Sequence, residues 1–216
     1  MIFSVFYLFI EIAELDILRF FTKPLLLISL SIYFYWQTKG VNNTFSKFIQ
    51  GGLFFSLLGD TVLLFVSVEQ FYFVVGLVMF LIAHVCYIVA FTKNSSQNKI
   101  KTSLQFKLTA TLPFILLSGS VFFILKDSLG ALLIPVAIYI SVITLMGIFA
   151  AFRYKKVSPA SFNFILIGAI FFMLSDTLLA FNKFTNPLPL AGFLIMSTYI
   201  VAQYLIAEGS IEQLKK

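Results

Sequence analysis

The sequence predicts an all-α membrane protein, a bundle of eight transmembrane helices forming a single domain over residues 1–216. Three observations predict it. Hydrophobic residues make up 60% of the chain and charged residues only 11%, where a soluble domain carries about 25% charged. The apolar residues fall into eight continuous runs, most of them close to the roughly 20 residues that cross a bilayer core. Within the runs polar and apolar residues do not alternate, which speaks for helices and against barrel strands. The same composition excludes a disordered chain, and the single cysteine, Cys86, excludes a disulfide scaffold.

The first run, Ile2–Leu18, is strongly apolar to Ile10 but carries Glu11, Glu14 and Asp16 in its second half. No basic segment precedes it and no small-residue cleavage site follows, so it reads as a retained span rather than a signal peptide. Arg19 to Pro24 reads as a tight turn into the second run, Pro24–Gln37. The others are Phe48–Val68, Phe71–Thr92, Leu104–Leu125, Leu129–Arg153, Phe162–Phe181 and Leu188–Ala207.

Basic residues orient the bundle. Eleven follow even-numbered runs: Lys39, Lys47, Lys93, Lys99, Lys101, Lys107, Arg153, Lys155, Lys156, Lys215 and Lys216. Four follow odd-numbered runs: Arg19, Lys23, Lys126 and Lys183. That bias predicts both termini in the cytoplasm of a protein of the cell (inner) membrane. The net charge of +6 therefore belongs to topology and anionic lipid, with no nucleic-acid partner implied.

An internal repeat is also visible. Gly52–Phe65 (GLFFSLLGDTVLLF) and Gly168–Phe181 (GAIFFMLSDTLLAF) agree at 7 of 14 positions, Asp-Thr among them. Chance similarity of two apolar helices is the alternative. A true repeat would be parallel, four runs plus four, with Asp60 and Asp176 at similar depth.

Those two aspartates are the first candidates for chemistry. A carboxylate at a helix centre costs about 2.5–3.5 kcal/mol to insert, and no lysine or arginine lies within one helical turn of either. Two carboxyls in one dry site can hold a single proton between them, one acting as acid and the other as base. The bland reading is that they merely satisfy each other or cap a helix. His84, the only histidine, falls mid-run with Tyr87 on its face. Tyr139, Tyr199 and Gln203 place further polar groups inside runs, where helix-to-helix hydrogen bonds are the ordinary explanation. Lys23 and Lys183 stand at run ends, where snorkelling competes with pairing to a lipid phosphate. One histidine and one cysteine cannot build a typical zinc site, so no metal and no cofactor is expected. Neither HExxH, GxSxG, Walker A nor dinucleotide glycine patterns occur.

Six segments carry a resemblance: Thr22–Leu30 (TKPLLLISL), Gly51–Phe65, Phe80–Phe91 (FLIAHVCYIVAF), Ile134–Met146 (IPVAIYISVITLM), Gly168–Phe184 and Thr198–Ile206 (TYIVAQYLI). In this order they resemble the YhhN-like lysoplasmalogenase family over nearly the whole chain. The resemblance implies an eight-span hydrolase that cleaves the vinyl ether bond of lysoplasmalogens, releasing a fatty aldehyde and a glycerophosphoethanolamine or glycerophosphocholine. Its substrate partner would be a lysophospholipid. Carried over by motif, Asp60 and Asp176 would be the catalytic dyad, with His84, Tyr139, Lys183 and Gln203 in the pocket; Lys23 and Tyr199 join them as substrate-binding candidates. Such chemistry needs a dry proton donor and no metal or serine nucleophile. The alternative is a small-solute or proton-coupled transporter using the same aspartates. An intramembrane aspartyl protease is disfavoured, since Asp60 sits in LLGD, Asp176 in LSD, and Pro189–Ala191 reads PLA.

Overall fold

A computed structural model describes residues 2–13, 15–66, 68–96, 100 and 102–215. Glu14, Lys99, Lys101 and Lys216 of the charge reading lie outside the described residues. Among the described residues there are eight α-helices: α1 (Ile2–Ile12), α2 (Asp16–Gln37), α3 (Thr44–Leu63), α4 (Phe71–Ser96), α5 (Leu104–Leu125), α6 (Leu133–Ala151), α7 (Pro159–Phe184) and α8 (Ala191–Leu214). Two short 3₁₀ turns, Lys126–Ser128 and Gly130–Leu132, join α5 to α6. No strand occurs among the described residues. Six helical stretches, in α2 and α4 to α8, are long and apolar enough to cross a membrane. The protein is thus an all-helical, multi-pass membrane protein.

The helix starts follow ordinary capping chemistry. The side chains of Asn43, Ser103 and Ser158 accept hydrogen bonds from the third following amide, which satisfies donors that a helix start leaves free. Pro159 occupies the first position of α7, where its missing N–H costs nothing.

Two features differ from the sequence reading. The first predicted span stops at Ile12 and α2 already begins at Asp16, so the expected turn at Arg19–Pro24 is helix. Pro24 sits inside α2; neighbouring helices and side chains can satisfy the carbonyl that a proline strands in a membrane helix. The turn lies instead where the acidic residues are. There Glu11 accepts a hydrogen bond from Tyr7 and pairs with Arg19 at 3.0 Å. Eleven residues of α1 rise only about 16 Å, half a hydrocarbon core.

The second difference is Arg153, expected as a loop cation facing the leaflet. It is fully buried. Its guanidinium donates to Asn94 Oδ1 at 3.0 Å and to Ser161 Oγ at 2.7 Å, and lies 5.8 and 5.6 Å from the ring centres of Phe45 and Phe91. One side chain thus ties α3, α4 and α7 together at this end of the bundle. Burial pushes its pKa down to about 9, which still leaves it charged at neutral pH.

The most extensive helix contacts run between α3 and α4 and between α7 and α8. Both depend on glycine. At Gly52 a Cβ would run into the Tyr87 ring of α4. At Gly168 it would meet Ile206 Cγ1 at 2.9 Å and the Ala202 carbonyl at 3.0 Å on α8. By contrast α5 touches only α6, α7 and its own following turn to any extent. Its buried polar tie is Thr144 Oγ1 donating to Ser118 Oγ at 2.6 Å.

These contacts give a prediction of opposite signs. Gly→Ala in a helix interior normally stabilises by about 1 kcal/mol. Gly119→Ala on α5, with nothing within 4 Å, is expected to show that gain. Gly168→Ala is expected to destabilise by roughly 1–3 kcal/mol, because a backbone carbonyl cannot step aside. Thermal unfolding in one detergent checks both.

Candidate active site

The site lies in the core, where the ends of α3 and α7 bring their aspartates among α2, α4, α6 and α8. Asp60 is enclosed, with 3% of its side chain exposed. The ammonium of Lys23, from α2, stands 3.4 Å from its Oδ1. The sequence reading found no cation beside Asp60 and placed Lys23 at an interfacial run end; both expectations are corrected. Lys23 lies one turn into the apolar part of α2, and its side chain points inward onto α3. The Tyr199 hydroxyl of α8 faces the same carboxyl. Asp60 Oδ2 has no hydrogen-bond partner among the described residues.

Asp176 has different neighbours. The Tyr139 hydroxyl of α6 donates to its Oδ2 at 2.5 Å. His84 Nε2 of α4 lies 3.9 Å from the same oxygen, beyond hydrogen-bonding range. His84 is fully buried, and neither ring nitrogen has a hydrogen-bond partner among the described residues. Its ring is wedged edge-on between Tyr139 and Phe172, with centroids 5.4 and 4.7 Å away. The Phe172 ring bridges the two settings, its centre 4.7 Å from that of His84 and 5.4 Å from that of Tyr199.

A chain of polar groups crosses the core behind them. The Tyr87 hydroxyl donates to Gln203 Oε1 at 2.7 Å, and Gln203 Nε2 donates to the Tyr199 hydroxyl at 3.2 Å. Tyr199 in turn reaches Asp60. So Asp60, Lys23, Tyr199 and Gln203 form one group, and Asp176, Tyr139 and His84 another. Tyr87 links into the first without having been a candidate; its place on the face of His84 was the available signal.

Asp176 opens onto a cavity between α4, α5, α6 and α7. Its walls are almost wholly apolar, with Leu117 and Ile143 at one end and Phe73 and Phe184 at the other. Asp176, Tyr139, Ser118 and Thr177 supply the polar atoms. With 14% of its side chain exposed against 3% for Asp60, Asp176 is the carboxyl that faces this space. Lys183 does not line it. It pairs with the Gln70 side chain and lies over the Phe73 ring at 5.3 Å, beside the Phe73–Phe184 end. The cavity's lining was not legible in advance, because leucine and phenylalanine are everywhere in the sequence.

An all-helical bundle with several helices long and apolar enough to cross a bilayer, and buried carboxyls beside an apolar cavity, defines a class: a multi-pass membrane protein. The matches to known proteins agree. The chain belongs to the YhhN family, whose model matches residues 18–210. It is 36% identical over 166 residues to the human lysoplasmalogenase TMEM86A, a match covering 74% of this chain and 64% of that protein. Bovine lysoplasmalogenase TMEM86A is 33% identical over 171 residues, with the same coverage of 74% and 64%. Human lysoplasmalogenase TMEM86B is 29% identical over 168 residues, covering 77% and 65%. The match thus takes in less than two thirds of the length of these relatives. No solved structure matches.

Tyr139→Phe strands Asp176 Oδ2 without its donor. A buried acceptor left unpaired costs roughly 1–3 kcal/mol. The variant is expected to unfold at lower temperature than the wild type by that amount, and Tyr87→Phe to do the same through Gln203. Thermal unfolding of the two purified variants checks this.

Proposed function

We propose that the protein is a lysoplasmalogenase-like hydrolase, a single transmembrane domain of the cell membrane whose even-numbered connections face the cytoplasm. Its substrates are alkenyl-lysophosphatidylethanolamine and alkenyl-lysophosphatidylcholine. The observation that carries this reading is the Asp176–Tyr139 pair set into the wall of an apolar cavity. The cavity's almost wholly apolar lining suits a hydrocarbon tail. The names of the relatives point the same way.

Vinyl ether hydrolysis suits these residues. A carboxylic acid protonates the alkene carbon once removed from the ether oxygen, giving an oxocarbenium ion. A second carboxylate stabilises that cation and takes a proton from water as it adds. The hemiacetal then collapses to a fatty aldehyde and the glycerophospho head group. Asp60 and Asp176 fill the two carboxyl roles, Tyr139 orients Asp176, and His84 borders the reacting centre. Gln203 and Tyr199 hold the polar wall behind it. Lys183 stands seven residues beyond Asp176 on α7, about 10 Å along the helix, in reach of a phosphate held at the cavity mouth. The reaction calls on no metal or cofactor.

The test is aldehyde release. Purified protein in detergent is given alkenyl-lysophosphatidylethanolamine, alongside Asp60→Asn and Asp176→Asn variants. Wild type is expected to release aldehyde, and each folded variant at least about 10²-fold less, the usual contribution of a positioned acid or base. Absence of aldehyde together with pH-driven solute uptake into liposomes would instead establish a carrier.

A further inference from the structure

The 116-residue offset that relates Asp60 to Asp176 and Gly52 to Gly168 recurs in space. Tyr87 and Gln203 are also 116 residues apart, and they hydrogen-bond to one another at 2.7 Å. Two positions that a repeat makes equivalent can touch only close to the axis relating the halves. Lys23 and Tyr139 are a further pair with this offset, and each holds the aspartate of its own half: Lys23 on Asp60, Tyr139 on Asp176. Each aspartate then meets one residue from the last helix of the opposite half, Tyr199 of α8 over Asp60 and His84 of α4 beside Asp176. The glycines obey the same relation, Gly52 against α4 and Gly168 against α8.

The halves are alike in layout and differ in charge. Where one has a cation against its aspartate, the other has a phenol. We propose that the bundle is a diverged tandem duplication in which Lys23 is a positioning residue: it draws the negative charge of the aspartate pair onto Asp60 and leaves the shared proton with Asp176. This rests on the acid–base reading above and resolves it. Asp176, open to the cavity, is the proton donor. Asp60, enclosed beside Lys23, is the carboxylate that steadies the cation.

Every charged or titratable neighbour fits that division. Around Asp60 stand Lys23 from α2, Tyr199 from α8, and Tyr7 from α1, within reach of its charge. Glu11 of α1 is paired with Arg19 of α2, so Arg19 is engaged elsewhere. Around Asp176 stand Tyr139 from α6 and His84 from α4, and Lys183 of its own helix is held by Gln70. Lys23 is therefore the cation positioned to separate the two carboxyls.

The test uses Lys23→Met, Lys23→Gln and Lys23→Arg in the full chain. Infrared spectra of the carboxyl C=O stretch report protonated carboxyls directly and need no substrate. The wild type is expected to show a protonated band that Asp176→Asn removes. Lys23→Met or Lys23→Gln is expected to add a band that disappears when Asp60→Asn is combined with it. In the aldehyde assay the neutral variants are expected to lose about 10²-fold in kcat, a preorganised charge being worth that much. Their low-pH limb is expected to move to higher pH, since Asp60 ionises less readily without its cation. Lys23→Arg restores the wild-type band pattern and pH profile. A neutral variant with wild-type bands and an unshifted profile overturns the proposal, whether its rate is normal or uniformly reduced. A wild type that releases no aldehyde overturns the hydrolase reading alone, because the infrared comparison still decides what Lys23 does.

Discussion

The constraint on which the rest depends is the cost of charge in a medium that cannot solvate it. A lone buried carboxylate is so unfavourable that its surroundings must answer it with a cation, a donor or a proton. The core gives each aspartate a different answer. Asp60 has an ammonium at 3.4 Å, and Asp176 has a phenol at 2.5 Å. The same economy governs Arg153, which is sealed in with no carboxylate beside it among the described residues and held by an amide, a serine hydroxyl and two phenylalanine faces. Polar groups inside this bundle therefore come in small sets. The two sets nearest the cavity are where chemistry is available.

Much of this was readable from the residues alone. Continuous apolar runs located α3 to α7 to within about five positions at each end, because spanning length is a physical requirement and not a propensity, whereas α2 begins eight residues before its run and α8 ends seven beyond. Asp60 and Asp176 stood out for the same reason: expensive residues are conspicuous against a cheap background. The family motifs picked out Tyr139, His84 and Gln203, all now found in the core, the first two beside Asp176 and Gln203 bonded to Tyr199 and Tyr87.

What escaped the sequence were the partners. Lys23 and Asp60 lie 37 positions apart on different helices, so no local window could join them. Arg153 reads as one of a basic trio with Lys155 and Lys156, and only packing shows that it turns inward while the chain beyond it stays at the surface. The Arg19–Pro24 turn failed because a proline rule drawn from helices in water carries less force where neighbouring helices can satisfy the freed carbonyl. Cavity walls are hardest of all to foresee, since any apolar residue serves.

The loose attachment of α5 bears on how the protein behaves outside a bilayer. Leu116, Leu117, Phe123 and Ile124 leave its flank bare, and in the membrane acyl chains press on that flank and hold the helix in place. Detergent supplies little lateral pressure. Delipidated preparations should then fail by a local route, with α5 swinging off the Thr144 hydroxyl and the cavity losing a wall while circular dichroism still reports full helix content. Adding back phospholipid, rather than changing temperature or buffer, is what would restore such a sample.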